Sequence, residues 1–389
     1  LLGYTNVYAP ILDLARDPRW GRTVECYSED PFLVSEYGLA MVDALQSQNV
    51  ASTAKHFAVY SVPKGGRDGD VRTDPHVTER EVHELFLKPF KKVVTEGNLL
   101  GIMSSYNDYN GVPVTGSEFF LTELLRDQWG FKGYVVSDSW AVGGIEGRHY
   151  VAENYKETVY QSVMAGLNVR TNFSPPEDFI IPLRELVKKN RIPIEIINQR
   201  VADVLRVKFI LVLFDEPYEK DLKEADTTVH NKASEAISLQ VSRESMVLLK
   251  NENQLLPIDK TKIKSILVTG PNAKAINHSV SRYGPSKIDV VTVFEGIKRE
   301  AGDNIQVEYA MGCDFFDQNW PLNELYSIEP SKTQQDYINE AVEKAKNVDV
   351  IVVAVGDSEH TVGESKSRSS LNLPGNQRDL LKALHKLNK

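Results

Sequence analysis

At 389 residues the chain exceeds what one hydrophobic core usually supports, so two domains are expected. Hydrophobic residues at 41% and charged residues at 25% are the proportions of a soluble globular protein and argue against disorder. The net charge of −9, with no cationic block denser than the solvated turn "KTKIK" (260–264), argues against nucleic-acid and anionic-membrane partners, and no apolar run reaches the roughly 18 residues of a membrane span.

Apolar, strand-forming runs recur at 6–15, 51–59, 99–107, 133–138 and 166–171. Between them lie segments of helical period. In "VTEREVHELFLKPFKKVVTEG" (77–97), Val82, Leu85, Phe86, Phe90 and Val93 share one face and the charges take the other. Strand then helix, repeated every roughly 30 to 45 residues, predicts βα units around a buried parallel sheet. The glycine-rich "GGRDGD" (65–70) lies in a polar loop and lacks the Lys-Ser/Thr of a phosphate-binding loop. An amphipathic helix over 193–214 closes this half.

The acidic stretch 215–230 reads as a boundary, which places a barrel domain at 1–214, a linker at 215–235 and a second α/β domain at 236–389. The second half predicts a helix over 233–249, strands at 265–270, 305–310 and 348–356, a helix over 331–347 and a last helix from 377. Cys26 and Cys313 are far apart in sequence, so neither a disulfide framework nor a cysteine metal site is expected.

The strands of the first half end in polar residues that a purely structural strand does not need: Arg22 after the first, Lys55 and His56 on the second, Met103 and Tyr106 on the third, and Asp138 with Trp140 on the fourth. In a (β/α)8 barrel such ends converge on one face. Cationic and imidazole donors beside apolar walls suit a polyol, and a carboxylate held charged by neighbouring cations suits attack on a carbon bearing a leaving group. Singly, each has an ordinary structural reading: a helix cap for Asp138, core packing for Met103, Tyr106 and Trp140, and a surface pair for Lys55–His56.

Five ordered segments, "DLARDPRWGRTVECYSEDP" (13–31), "KHFA" (55–58), "MSSYN" (103–107), "GFKGYVVSDSW" (130–140) and "GESKSRSSLNLPGNQ" (363–377), together resemble the motifs of glycoside hydrolase family 3. The resemblance implies an α/β chain, a (β/α)8-type, TIM-like barrel followed by an α/β sandwich with the active site between them. It also implies truncation at both ends, because family barrels carry further strands before the first motif and the sandwich continues past residue 389.

It implies Asp138 as the nucleophile and Glu364 as the acid/base, with Glu359 the weaker candidate. Arg22, Lys55 and His56 match positions that bind sugar hydroxyls, Met103 and Tyr106 match the pocket lining, and neither metal nor organic cofactor is required. The family commonly has Trp directly after the nucleophile, whereas here Ser139 intervenes before Trp140.

The implied activity is that of a retaining, exo-acting β-glucosidase on β-linked oligosaccharides or aryl glycosides. A β-xylosidase, a glycoside phosphorylase and a non-catalytic sugar-binding fragment are the alternatives, and hexosaminidase activity is disfavoured because "KHFAVYSVPKGG" lacks that branch's longer glycine and His pattern. No signal peptide is readable. The reading carries a periplasmic or secreted location, no nucleic-acid or membrane partner, and leaves room for a homo-oligomer.

Overall fold

The computed structural model describes residues 3–62, 74–218, 222–277, 283–284, 289–315 and 329–387; the glycine-rich 65–70 segment lies outside them. The chain divides into two compact units, Leu1–His230 and Asn231–Lys389.

In the first unit four strands, β1 (Asn6–Val7), β2 (Ala51–Phe57), β3 (Gly101–Ser104) and β4 (Tyr134–Ser137), lie parallel in the order β1-β2-β3-β4, the sequential order of a TIM-like barrel wall. The β1–β2 pairing runs on past β1 through the Ile11–Lys55 bridge, which brings Asp13 beside His56. β3 depends on Gly101. A Cβ there would come within 2.3 Å of Thr53 Oγ1, and its absence lets Thr53 Oγ1 and the Tyr134 hydroxyl meet at 2.9 Å across the strand.

The helix Pro31–Gln46 starts where Asp30 accepts from the Phe32 amide at 2.8 Å, with Pro31 in the first turn where no amide proton is needed. It buries Val34 and Val42 in a core with Leu12, Phe57, Phe90, Val93 and Ile102.

Several expectations change in the structure. The helix over 77–97 is interrupted: Glu79–Glu81 is α-helical, Val82–Phe86 is π-helical and Lys88–Thr95 is α-helical again. Pro89 has no amide to give the Leu85 carbonyl, and the preceding turn widens so that Leu87 N bonds Val82 O at 2.9 Å.

The fifth strand, at 166–171, shrinks to a single bridge between Val169 and Val136. Side chains replace ladder partners there: Asn168 Oδ1 accepts from Val135 N at 2.7 Å and Ser137 Oγ from Thr171 N at 3.0 Å. The acidic boundary, expected as a linker, contains the helix Leu222–Thr228.

The second unit is an α/β sandwich. β5 (Ser265–Thr269) lies between β6 (Gln306–Ala310) and β7 (Val350–Val353), all parallel. Alternation along β5 sends Leu267 towards Ile338, Ala341, Leu380 and Leu384 of helices Lys332–Ala345 and Gln377–His385. Ile266 and Val268 face Phe294 and Ile297 of helix Val293–Ala301. The helix expected over 233–249 ends at Glu244. Among the described residues no helix is long and apolar enough to cross a membrane.

Candidate active site

Asp138 follows β4 directly. Its carboxyl Oδ1 accepts from the Ser139 amide at 2.6 Å, and its carbonyl accepts from the Ala141 amide at 3.0 Å as the chain turns into the helix Ala141–Gly147. The residue is buried. Burial raises its pKa, while the Arg22 charge, the Ser139 amide, the Tyr106 hydroxyl and Lys55 work to keep it ionised.

His56, at 1% exposure, stands between two carboxylates: Nε2 lies 3.5 Å from Asp138 Oδ2, and Nδ1 lies 2.6 Å from Asp13 Oδ2. Burial, Arg22 and Lys55 push its pKa well down. Lys55 is lowered by burial and by Arg22.

Arg22, in the short 3-10 helix Gly21–Glu25, is 3% exposed and grips Glu25 bidentately at 2.7 and 2.8 Å. Burial opposes its charge, but Glu25, Tyr60 and Asp138 together outweigh burial and hold the guanidinium protonated. Its guanidinium sits 5.8 Å from the centre of the Tyr60 ring, and Tyr60 also packs on His56 and Tyr106 at 4.8 and 6.0 Å.

Arg22, Lys55, His56, Tyr106 and Asp138 therefore share one site at the strand ends. Met103 is buried in β3, in register with Val136. Trp140, at 39% exposure, takes a left-handed backbone conformation and is not part of this cluster. Its indole lies against its own helix, where a Cβ at Gly143 or Gly147 would meet the ring at 2.9 or 3.0 Å, with Arg148 5.0 Å from the ring centre.

Sequence reasoning passed over Asp13, Glu25 and Tyr60. Asp13 carried a signal, being a lone carboxylate within the apolar "PILDLA". It is 3% exposed; burial pushes its pKa up to about 7, against the lowering effect of Arg22.

In the second unit the loop after β7 is shaped by side chains. The Gln377 amide, fully buried, bonds both backbone groups of Gly356, accepting from N at 2.7 Å and donating to O at 2.9 Å. Asp357 Oδ1 accepts from Thr361 Oγ1 at 2.9 Å and from Arg368 at 2.5 Å. Glu364 is buried in this loop, and its Oε2 accepts from the Tyr283 hydroxyl at 2.5 Å. Glu359 is more open, 3.7 Å from His360 Nε2.

The description "Glycosyl hydrolase family 3 N terminal domain" matches residues 2–207, and "Glycosyl hydrolase family 3 C-terminal domain" matches 246–389. A β-xylosidase of Formosa agariphila is 34% identical over all of this chain and 54% of its own length. A periplasmic β-glucosidase of Salmonella typhimurium is 31% identical over 98% of this chain and 51% of its own. The crystal structure of a β-glucosidase from Listeria innocua in complex with glucose superposes with a TM-score of 0.84 at 28% identity, covering 100% of this chain and 51% of that one. The chain spans about half the length of the curated relatives it matches.

Proposed function

The chain belongs to glycosyl hydrolase family 3, and from that premise we propose a retaining, exo-acting β-glycosidase, a β-glucosidase that releases terminal β-D-glucose through a covalent glycosyl-enzyme intermediate. One observation carries the reading: Asp138 is a buried carboxylate held on a rigid strand end, with Arg22 and Lys55 acting against the effect of burial on its charge. A nucleophile at an anomeric carbon needs that combination of ionisation and fixed aim.

In this reading Asp138 attacks the anomeric carbon while Glu364 protonates the departing oxygen. Glu364 then takes a proton from water, which releases the sugar from the ester with net retention. Arg22, Lys55 and His56 bind hydroxyls of the terminal sugar, and Met103 and Tyr106 line its pocket. The chemistry requires no metal. A periplasmic or secreted location belongs to the same reading, supported by the name of the Salmonella relative.

A 2-fluoro β-glucoside should form an ester on Asp138, and Asp138→Asn should lower kcat/KM for an aryl β-glucoside by roughly three orders of magnitude or more. A label on another carboxylate overturns the assignment. The Formosa relative gives the β-xylosidase reading its own support. Comparing kcat/KM for aryl β-glucoside, β-xyloside and N-acetylglucosaminide decides, with the glucoside expected to lead; a clear xyloside preference reverses the choice.

A further inference from the structure

The imidazole of His56 is buried with each nitrogen turned to a carboxylate oxygen, Nδ1 to Asp13 Oδ2 at 2.6 Å and Nε2 to Asp138 Oδ2 at 3.5 Å. Asp13 Oδ2 also accepts from the His56 backbone amide at 3.3 Å, so it fixes both the ring and the chain that carries it. The nucleophile reading makes no use of Asp13. We propose, resting on that reading of Asp138, that Asp13 is a positioning residue that donates its carboxyl proton to Nδ1 and thereby keeps the His56 proton on Nε2, aimed at the nucleophile and at a sugar hydroxyl.

With one proton on the Asp13–His56 pair, the proton lies in the short Oδ2–Nδ1 contact and Nε2 presents a lone pair to Asp138 Oδ2, which is repulsive. With two protons, Nε2 always carries one, and the lone-pair repulsion becomes an attraction. The second proton then sits on Asp13 or on Nδ1. Burial favours the form without separated charges, a neutral acid beside a neutral imidazole.

Burial outweighs the cations at Asp13 and acts with them at His56. Burial pushes Asp13 up to about 7 with Glu25 in support, against Arg22 and Lys55, while burial, Arg22 and Lys55 all push His56 down. Arg22 and Lys55 thus penalise an imidazolium. At 3.5 Å, Nε2 is beyond the usual hydrogen-bond range from Asp138, so its proton acts on the nucleophile through space and remains available to a substrate hydroxyl.

This polarity is opposite to that of a Ser-His-Asp triad, whose ionised carboxylate accepts from Nδ1–H and where replacing that Asp by Asn produces the wrong tautomer. Here Asp13→Asn, with its NH2 turned to Nδ1, gives up the longer bond from the His56 backbone amide but supplies a donor to Nδ1 and preserves the Nε2–H form, whereas Asp13→Leu supplies nothing.

The direct test is nitrogen NMR of the full chain labelled at histidine, with the His56 signals identified by their loss in His56→Gln. At pH 5.5 the expected pattern is a neutral ring protonated on Nε2, in the wild type and in Asp13→Asn. A wild-type ring protonated on Nδ1 alone, or on both nitrogens, overturns the proposal without recourse to any variant that fails to fold. The kinetic arm uses an aryl β-glucoside: Asp13→Leu should lose at least about tenfold more kcat/KM than Asp13→Asn, and equal losses overturn the proposal. The NMR arm needs no substrate, so its failure is distinguishable from failure to label Asp138.

Discussion

Asp13 and Asp138 approach the same imidazole, and different neighbours oppose the effect of burial at each. Burial raises the pKa of both, to about 7 at Asp13, while at Asp138 Arg22, the Ser139 amide and the Tyr106 hydroxyl oppose it. A stability consequence follows. Asp13 is protonated more readily in the folded chain than at its ordinary value of 3.8, so its favourable contribution is complete below about 4 and is lost as pH rises to about 7. His56, depressed by burial, acts in the reverse sense, its contribution being lost as pH falls through the ordinary His value. Asp13→Asn removes the Asp13 titration. Urea unfolding should therefore show the variant gaining on the wild type between pH 4.5 and 7.5, by about 3 kcal/mol at roughly 1.4 kcal/mol per unit. A difference that stays flat over that range contradicts a protonated Asp13. Asp138 was legible in the sequence because a carboxylate closing "YVVSD" is out of place in a buried strand. Asp13 carried a similar signal within "PILDLA", but its role was not legible, because its partner is 43 residues away and only the parallel pairing of β1 with β2 brings them together.

Strands and their registers were easier to read than the segments that follow them. β2, β3 and β4 lie within the apolar runs that announced them, since apolar continuity is what a doubly covered parallel strand demands. The π-helical turn at Val82–Phe86 and the reduced fifth strand were not legible, because each depends on which carbonyl or side chain takes a backbone partner rather than on periodicity. The loop after β7 belongs to the same class. Its first glycine, Gly356, has φ near +146° and is fixed by a buried amide 21 residues further on, which no local pattern reports. Gln377→Leu removes both bonds and leaves the backbone groups of Gly356 without those partners, at a cost of about 1–3 kcal/mol. If that clamp also sets the loop that carries Glu364, Gln377→Leu should slow cellobiose hydrolysis more than hydrolysis of an activated aryl β-glucoside. Thermal unfolding and the ratio of the two rates check this; equal slowing would confine Gln377 to stability.

At the scale of the whole molecule, the sequence resemblance to glycoside hydrolase family 3 and the matches over 2–207 and 246–389 agree, and the proposed chemistry draws one carboxylate from each unit. Asp138 stood out physically in the sequence, but Glu364 did not: a Glu in a Gly/Ser-rich loop has the look of a solvated side chain, and only the resemblance singled it out. In the folded unit it is buried and accepts a hydrogen bond from Tyr283, while its neighbour Glu359 is more open. Acid catalysis matters in proportion to how poorly the leaving group departs. Glu364→Ala should therefore slow cellobiose by orders of magnitude more than an activated aryl glucoside, whose phenolate needs little protonation. The second step then lacks its base, and added azide should restore turnover of the aryl substrate by attacking the glycosyl ester at Asp138 without needing proton removal. The product should be a β-glucosyl azide, because two inversions preserve the configuration. Glu359→Ala should show neither the leaving-group dependence nor the rescue. If Glu359→Ala shows both and Glu364→Ala neither, the acid/base is Glu359. If neither variant responds, the proton donor lies outside this loop, and the division of the two carboxylates between the two units is wrong.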